Sequence, residues 1–122
     1  MTAPIAELNF PGGRLFQVVL ADLLQEETDG IVNAANNQLT HGGGVAAAIA
    51  RAAGQELETA SREIVRRTGP IATGEAVATV AGKLPFKGVI NTVGPRHGEG
   101  EEEAKLISAV QAACIVADGV GW

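Results

Sequence analysis

Hydrophobic positions along this chain follow two periods that alternate from one end to the other. Alternating or β-branched apolar runs predict strands at residues 5–10, 15–20, 31–32, 75–81 and 88–93. Apolar residues at helical spacing predict helices at 45–53, 55–67 and 101–117, with a short helical turn after Asp22. This order of strands and helices indicates a layered α/β fold with a mixed sheet.

Two of these elements carry an apolar stripe on one face. In the second strand that face carries Phe16, Val18 and Leu20. In the helix at 55–67 the inward stripe consists of Leu57, Ala60, Ser61 and Ile64. Thr68-Gly69-Pro70 is expected to end this helix. No repeat or low-complexity linker divides the chain, so residues 1–122 are expected to form a single domain.

A triple glycine links the strand at 31–32 to the helix at 45–53. Gly42, Gly43 and Gly44 remove every Cβ from this loop, so its backbone can approach a ligand closely. The helix that begins at Val45 directs its first free N–H groups and the positive end of its dipole at the same place. The segment therefore predicts an anion-binding loop, with phosphate as its natural ligand.

Other glycine-loop families fit this segment less well. The loop is neither Gly-x-Gly-x-x-Gly nor a Walker loop, which argues against a dinucleotide fold and a nucleotide triphosphatase. The string from His41 to Gly44 matches the oxyanion hole of some esterases. Those enzymes need a serine in a Gly-x-Ser-x-Gly turn, and neither Ser61 nor Ser108 has that context.

The composition argues against several classes of binding partner, among them nucleic acid, a structural zinc ion and a membrane. The formal net charge of −5 and the pI near 4.9 give no basic surface for nucleic acid. The lone cysteine, Cys114, cannot form an internal disulfide, and we expect it to pack on the apolar face of its helix. Two histidines and one cysteine cannot build a structural zinc site. Residues 1–20 lack the pattern of a secretion signal and no segment reaches transmembrane length, so we expect a cytoplasmic protein without a membrane partner.

The residues around the glycines resemble the signature of the macrodomain family. The resemblance rests on Val-Asn-Ala-Ala-Asn at 32–36, Leu39, and His-Gly-Gly-Gly-Val-Ala at 41–46. It extends to Ala-Asp-Leu at 21–23, Thr-Gly-Glu-Ala at 73–76 and the strand and turn at 89–95. It implies a three-layer α/β/α sandwich that binds ADP-ribose or ADP-ribosylated proteins.

The resemblance also implies a departure from the family pattern. In the family, a helix like that at 101–117 is followed by a central strand, a second glycine-rich phosphate loop, a helix and a last strand. We therefore expect the chain to correspond to the N-terminal two-thirds of a macrodomain, with half of the diphosphate clamp. Unpaired backbone beside an absent strand predicts low stability or a compensating partner.

Site roles follow from the resemblance, position by position. Asp22 matches the acid that accepts a hydrogen bond from the adenine amino group, although an Asp there is also a favoured N-cap. Asn36 matches the asparagine that contacts the distal ribose, although it can also stabilise its own turn. Asn33 is expected to be structural. The positions expected to contact ADP-ribose are Ala21, Asp22, Leu23, Ala34, Ala35, Asn36, His41, Gly42, Gly43, Gly44, Val45 and Ala46.

Three functional hypotheses follow from these residues. The first is a hydrolase that removes ADP-ribose from aspartate or glutamate esters or deacetylates O-acetyl-ADP-ribose, with Asn36 and His41 as candidate catalytic residues and no metal or cofactor. The second is a non-catalytic ADP-ribose reader, since Ala46 stands where one branch of the family has an aspartate. The third is an inactive fragment. His41 could orient the distal ribose or only cap the loop.

Overall fold

The structure is a computed structural model that describes residues 3–122. The elements in chain order are strand β1 (Ala6–Phe10), strand β2 (Arg14–Val18), a 3-10 turn (Leu23–Gln25), strand β3 (Gly30–Ala35), helix α1 (Gly44–Ala53), helix α2 (Gln55–Thr68), strand β4 (Ala76–Thr79), strand β5 (Gly88–Val93) and helix α3 (Glu102–Val120). The predicted order is confirmed, and most boundaries lie within two residues of their predicted places.

The three strands β3, β5 and β4 form a mixed sheet in that order. β3 runs parallel to β5, and β4 runs antiparallel to it, which confirms the predicted mixed sheet. Alternate residues of β5 serve opposite layers: Val89 packs in a cluster with α1 and α2, and Ile90 faces α3. The result is the predicted α/β/α arrangement.

Two apolar clusters hold the α1 and α2 side of the sheet. The larger consists of Ile31, Ile49, Ala50, Ala53, Leu57, Ala81, Phe86 and Val89. The smaller consists of Leu39, Ile71 and Val93 and lies where β5 ends. Because Leu39 belongs to the segment after β3, this second cluster anchors the approach to the glycine loop.

Helix α2 has the predicted inward stripe. Leu57 and Ser61 are fully buried, and Ala60 and Ile64 are half-buried. The helix ends as predicted, because Gly69 adopts a φ of 80° and its N–H donates to the Val65 carbonyl at 2.8 Å.

The apolar face predicted for β2 is exposed. All ten residues of β1 and β2 are exposed, and the two strands form a separate two-stranded sheet. The predicted stripe of Phe16, Val18 and Leu20 has no layer beneath it in the described chain.

Helix α3 is longer than predicted and poorly covered. It buries only Ala109 and Ala113, although it carries apolar residues on several sides. Cys114 is exposed, so the expectation that it packs on the apolar face of its helix is wrong. The free edge of β3 adds to this surface, since β3 pairs only with β5 among the described residues. Within residues 3–122 no helix is both long and apolar enough to cross a membrane.

We expect the backbone amides of β1 and β2 to exchange with solvent much faster than those of β5. An isolated hairpin that buries no side chain is marginal in water, whereas β5 is paired on both edges. Hydrogen exchange followed by NMR measures this, with the β5 amides as the internal reference. If the amides of β1 and β2 were as well protected as those of β5 at two protein concentrations, the expectation would be contradicted. The hairpin would then be stabilised by contacts other than those described here.

Candidate functional site: the glycine loop

The glycine loop begins where the parallel strand β3 ends. Ala34 and Ala35 close the strand, residues 36–43 form the loop, and α1 starts at Gly44. The N-cap of α1 is Gly43, which offers no side chain to satisfy the first N–H groups. The carboxyl end of a parallel strand and the N-terminus of a helix thus meet at one exposed point, which is a favourable place for an anion.

The space around Gly42 and Gly43 is informative. A Cβ at either residue would meet no atom of the protein within 4 Å, and neither has a φ in the left-handed region. The fold of the described chain therefore does not require glycine at these two positions. Gly44 differs, because its φ is +58°. An absent side chain that the protein itself does not need suggests room kept for a ligand.

Two non-glycine residues before the glycines have left-handed backbone. Leu39 and His41 each have a φ of 53°, a conformation that costs roughly 1–2 kcal/mol per residue. Both side chains are buried: Leu39 in the cluster with Ile71 and Val93, and His41 in a polar pocket. Burial of these two anchors holds the strained approach to Gly42 in place.

His41 lies beneath the loop rather than on its surface. Its ring is 5% exposed, with Nε2 2.9 Å from Ser61 Oγ and Nδ1 3.2 Å from Asn33 Nδ2. Burial lowers the pKa of His41, and the Glu58 carboxylate opposes this shift. The imidazole is therefore held neutral over a wider pH range than in a free peptide. The contribution of neutral His41 to the stability of the folded state is fully present above pH 6.5. It is lost as the pH falls through the lower pKa that His41 has in the folded state.

Asn36 is exposed and organises its own turn. Its Oδ1 accepts the N–H groups of Gln38 and Thr40, both at 3.1 Å, and its Nδ2 donates to Thr40 Oγ1 at 2.8 Å. The turn interpretation of Asn36 is thus observed. A contact with ribose stays a prediction, and it is compatible with the turn because one amide N–H has no partner in these three bonds.

Asp22 caps the 3-10 turn. Its Oδ1 accepts the Leu24 N–H at 3.0 Å, which is the N-cap interpretation, and its second carboxylate oxygen has no part in that bond. Leu23 and Leu24 pack against the same cluster as Ile49 of α1. The Asp22 turn therefore rests on the layer that carries the glycine loop, while its neighbour Ala21 is exposed.

The first residues of α1 divide between surface and core. Val45 is exposed, whereas Ala46 is only 6% exposed. The Ala46 side chain is thus turned towards the core, and its backbone N–H is the group available at the helix N-terminus. Asn33 is fully buried, as expected of a structural residue.

Sequence reasoning placed Ser61 on the inward stripe but gave it no role at the site. A hydroxyl on an otherwise apolar stripe needs a buried partner, and a lone histidine elsewhere in the chain is a candidate for it. That combination is the signal that could have joined Ser61 to His41. No group of three or more His, Cys, Asp or Glu side chains within 3–122 is arranged to hold a metal ion.

The sequence model of the Macro domain family matches residues 32–119 of this chain. The chain belongs to the macrodomain family. Among solved macrodomains, a glycine-to-valine variant from Oceanobacillus iheyensis with ADP-ribose superposes with a TM-score of 0.86 and 31% identity, over 95% of this chain and 66% of that one. The Oceanobacillus iheyensis macrodomain with ADP gives a TM-score of 0.85 and 32% identity, over 95% of this chain and 64% of that one.

Curated relatives share a higher identity with this macrodomain. A protein of Escherichia fergusonii named O-acetyl-ADP-ribose deacetylase is 46% identical over 107 residues, which cover 86% of this chain and 60% of the relative. An uncharacterized protein of Thermotoga maritima is 49% identical over 111 residues, which cover 89% of this chain and 18% of the relative. The macrodomain thus spans less than two thirds of these relatives.

We expect Gly42→Ala to change the free energy of unfolding by less than about 0.5 kcal/mol, because its Cβ enters open space. Gly44→Ala is expected to lower it by about 1 kcal/mol, because Ala is strained at a φ of +58°. Urea unfolding of the two variants beside the wild type measures both values. A large loss in Gly42→Ala would show that the fold itself needs this glycine.

Proposed function

We propose that this macrodomain binds ADP-ribose at the glycine loop and hydrolyses it from aspartate or glutamate esters of modified proteins, or deacetylates O-acetyl-ADP-ribose. The observation that carries the proposal is the pair Gly42 and Gly43, whose missing side chains face open space at a helix N-terminus. Macrodomains solved with ADP-ribose or ADP, and a relative named O-acetyl-ADP-ribose deacetylase, support the choice of ligand.

Backbone groups carry the proposed recognition of the diphosphate. The N–H groups of Gly44, Val45 and Ala46 lie in the first turn of α1, where no intrahelical carbonyl is available to them. The helix dipole adds favourable potential for negative charge at the same point. An anion can therefore bind to a chain whose own net charge is −5, because the contact is local and needs no lysine or arginine.

Asp22 is proposed to select adenine. One carboxylate oxygen already holds the turn through the Leu24 N–H, and the second can accept a hydrogen bond from the exocyclic amino group. Guanine presents a carbonyl oxygen there, which a carboxylate would repel. The cap fixes the direction of the carboxylate, so the structural and recognition roles support each other.

Asn36 is proposed as the catalytic residue that orients the distal ribose. With its Oδ1 fixed by two backbone N–H groups, the amide has a set orientation, and its remaining N–H can donate to a ribose hydroxyl. In the hydrolysis of a protein-linked ester, a water held by the ligand's phosphate then attacks the anomeric carbon. The bond from that carbon to the ester oxygen breaks, the carboxylate leaves, and the water's proton passes to the phosphate. Positioning supplies most of the rate enhancement in this scheme.

A reader without turnover is the second candidate, and Ala46 favours it. The Ala46 side chain is apolar and turned towards the core, so it supplies no base at the loop. His41 is equally unsuited to proton transfer at the ligand, because its ring is buried and both nitrogens have partners. The hydrolase scheme therefore depends on substrate assistance, and a reader would share every binding contact.

We expect ADP-ribose to bind the wild type saturably and both Asp22→Ala and Gly42→Ala to weaken it by about tenfold or more. The first variant removes the adenine acceptor, and the second fills the space above the loop. Isothermal titration calorimetry measures the Kd values. Gly119→Ala is the matched glycine control, because its Cβ also meets no atom within 4 Å but lies in α3. Wild-type affinity in Gly42→Ala would contradict the proposed approach of the diphosphate.

Turnover separates the hydrolase from the reader. We expect Asn36→Ala to abolish release of ADP-ribose from a modified acceptor and to retain most binding. Asn36→Asp keeps oxygens for the Gln38 and Thr40 N–H groups but loses the N–H donor, so it is expected to fold normally and turn over at least tenfold more slowly. Single-turnover release of labelled ADP-ribose measures this. Binding without release in the wild type would select the reader instead.

A further inference from the structure

A chain of buried polar side chains runs beneath the glycine loop and crosses the sheet. It begins at Ser61 on α2 and passes through His41 to Asn33 on β3. Asn33 Nδ2 also donates to Asn91 Oδ1 on β5 at 3.0 Å, and Asn91 Nδ2 donates to Thr79 Oγ1 on β4 at 3.0 Å. All five side chains are less than 9% exposed. The loop is thereby joined to α2 and to all three strands of the mixed sheet.

The direction of these hydrogen bonds is fixed at the far end of the chain. The Thr79 hydroxyl donates to the Val89 carbonyl at 3.4 Å, so its oxygen is free to accept from Asn91. Asn91 must then turn its own oxygen towards Asn33, and Asn33 must present its amide N–H groups. The side-chain amide of Asn33 consequently faces His41 as a donor.

This direction determines the proton on His41. Because Asn33 Nδ2 is a donor, His41 Nδ1 must accept, and the proton of the neutral ring must be on Nε2. Nε2–H then donates to Ser61 Oγ at 2.9 Å. A doubly protonated ring would bring a second N–H against the Asn33 amide. Among the described residues, the charged group acting on the ring is Glu58, from α2; Asn33 and Ser61 are uncharged.

His41 is also where the backbone enters the loop. Its φ of 53° leads directly into Gly42, and the burial and hydrogen bonds of its side chain compensate that conformation. Loss of either partner would leave a buried polar atom unsatisfied and allow the backbone to relax. The direction of the following N–H groups would change with it.

We propose that Ser61 and Asn33 are positioning residues that hold His41 as the neutral Nε2–H tautomer, and that this tautomer sets the glycine loop in its anion-binding conformation. Neither residue contacts the ligand. The consequence is that anion binding weakens when the Ser61 hydroxyl is removed and when His41 gains a second proton. For its ligand, this inference rests on the proposed binding of ADP-ribose.

The tautomer is tested first, without any variant or ligand. Long-range ¹H–¹⁵N correlation spectra of the imidazole nitrogens distinguish a protonated Nε2 from a protonated Nδ1. We expect the Nε2–H pattern for His41 at a pH above 6.5, the ordinary pKa of histidine. His97→Gln removes the other of the two histidines and assigns the signals. The Nδ1–H pattern would overturn the proposal, whatever the chain binds.

Ser61→Ala is then compared with Leu57→Val, one turn earlier on α2. Leu57 is fully buried in the apolar cluster and has no hydrogen-bonding side-chain group, so this variant reports a loss of packing without loss of a hydrogen bond. We expect the Kd for ADP-ribose to rise about fivefold to tenfold in Ser61→Ala and to stay near the wild-type value in Leu57→Val. Equal losses in the two variants, or none in Ser61→Ala, would overturn the positioning role.

The pH dependence of ADP-ribose affinity separates the positioning role from a purely structural one, because a side chain that contributes only packing would not change it. In the His97→Gln background we expect a constant ADP-ribose affinity above pH 6.5 and a fall only at lower pH, as His41, whose pKa burial lowers, takes up its second proton. An affinity that stays flat while the NMR signals show protonation would overturn the proposal. If the wild type binds no ADP-ribose, the proposed function fails separately. The positioning role is then decided by whether Ser61→Ala, and not Leu57→Val, shifts the amide signals of Gly42 to Gly44.

Discussion

The register between β3 and β5 is the constraint on which the site depends. The parallel pairing sets Asn33 opposite Asn91, with both side chains on the face that carries α1 and α2. A shift of one residue would turn Asn33 to the α3 face and leave His41 without its partner. The register of the two strands thus places Asn33 where it can contact His41, and through this contact it fixes the position of the loop that follows β3.

Much of the fold could be predicted from the hydrophobic periodicity, and the glycine loop could be predicted from its three consecutive glycines before a helix. The strand β5 and the helix α2 have strong, uninterrupted patterns and were predicted within one residue of their bounds, whereas β3 continues three residues beyond its predicted end at Val32. The exposure of β1 and β2 could not be predicted in the same way, because alternation shows that a strand has an apolar face but not whether another layer covers that face. The same holds for Cys114 on α3.

The conformation of His41 lay beyond the sequence for a different reason. A positive φ at a non-glycine residue is a consequence of tertiary burial, and local preference argues against it. The residues that impose it, Asn33 and Ser61, are eight and twenty positions away. The hydrogen bonds of Asn36 and Asp22 could be predicted from the sequence, since both residues form the local turn and capping bonds that are common for asparagine and aspartate.

The polar chain from Thr79 to Ser61 has a double donor at its centre. Asn33 donates to both Asn91 and His41, and from there the donors point outward, to Thr79 at one end and to Ser61 at the other. No member can be exchanged for a residue of the opposite hydrogen-bonding character unless its neighbours change as well. An acid at position 33, for example, would present acceptors to both Asn91 Oδ1 and His41 Nδ1. These positions on three strands, a loop and a helix therefore form one hydrogen-bonded unit that extends from residue 33 to residue 91, and an exchange at one of them requires a matching exchange at its neighbour.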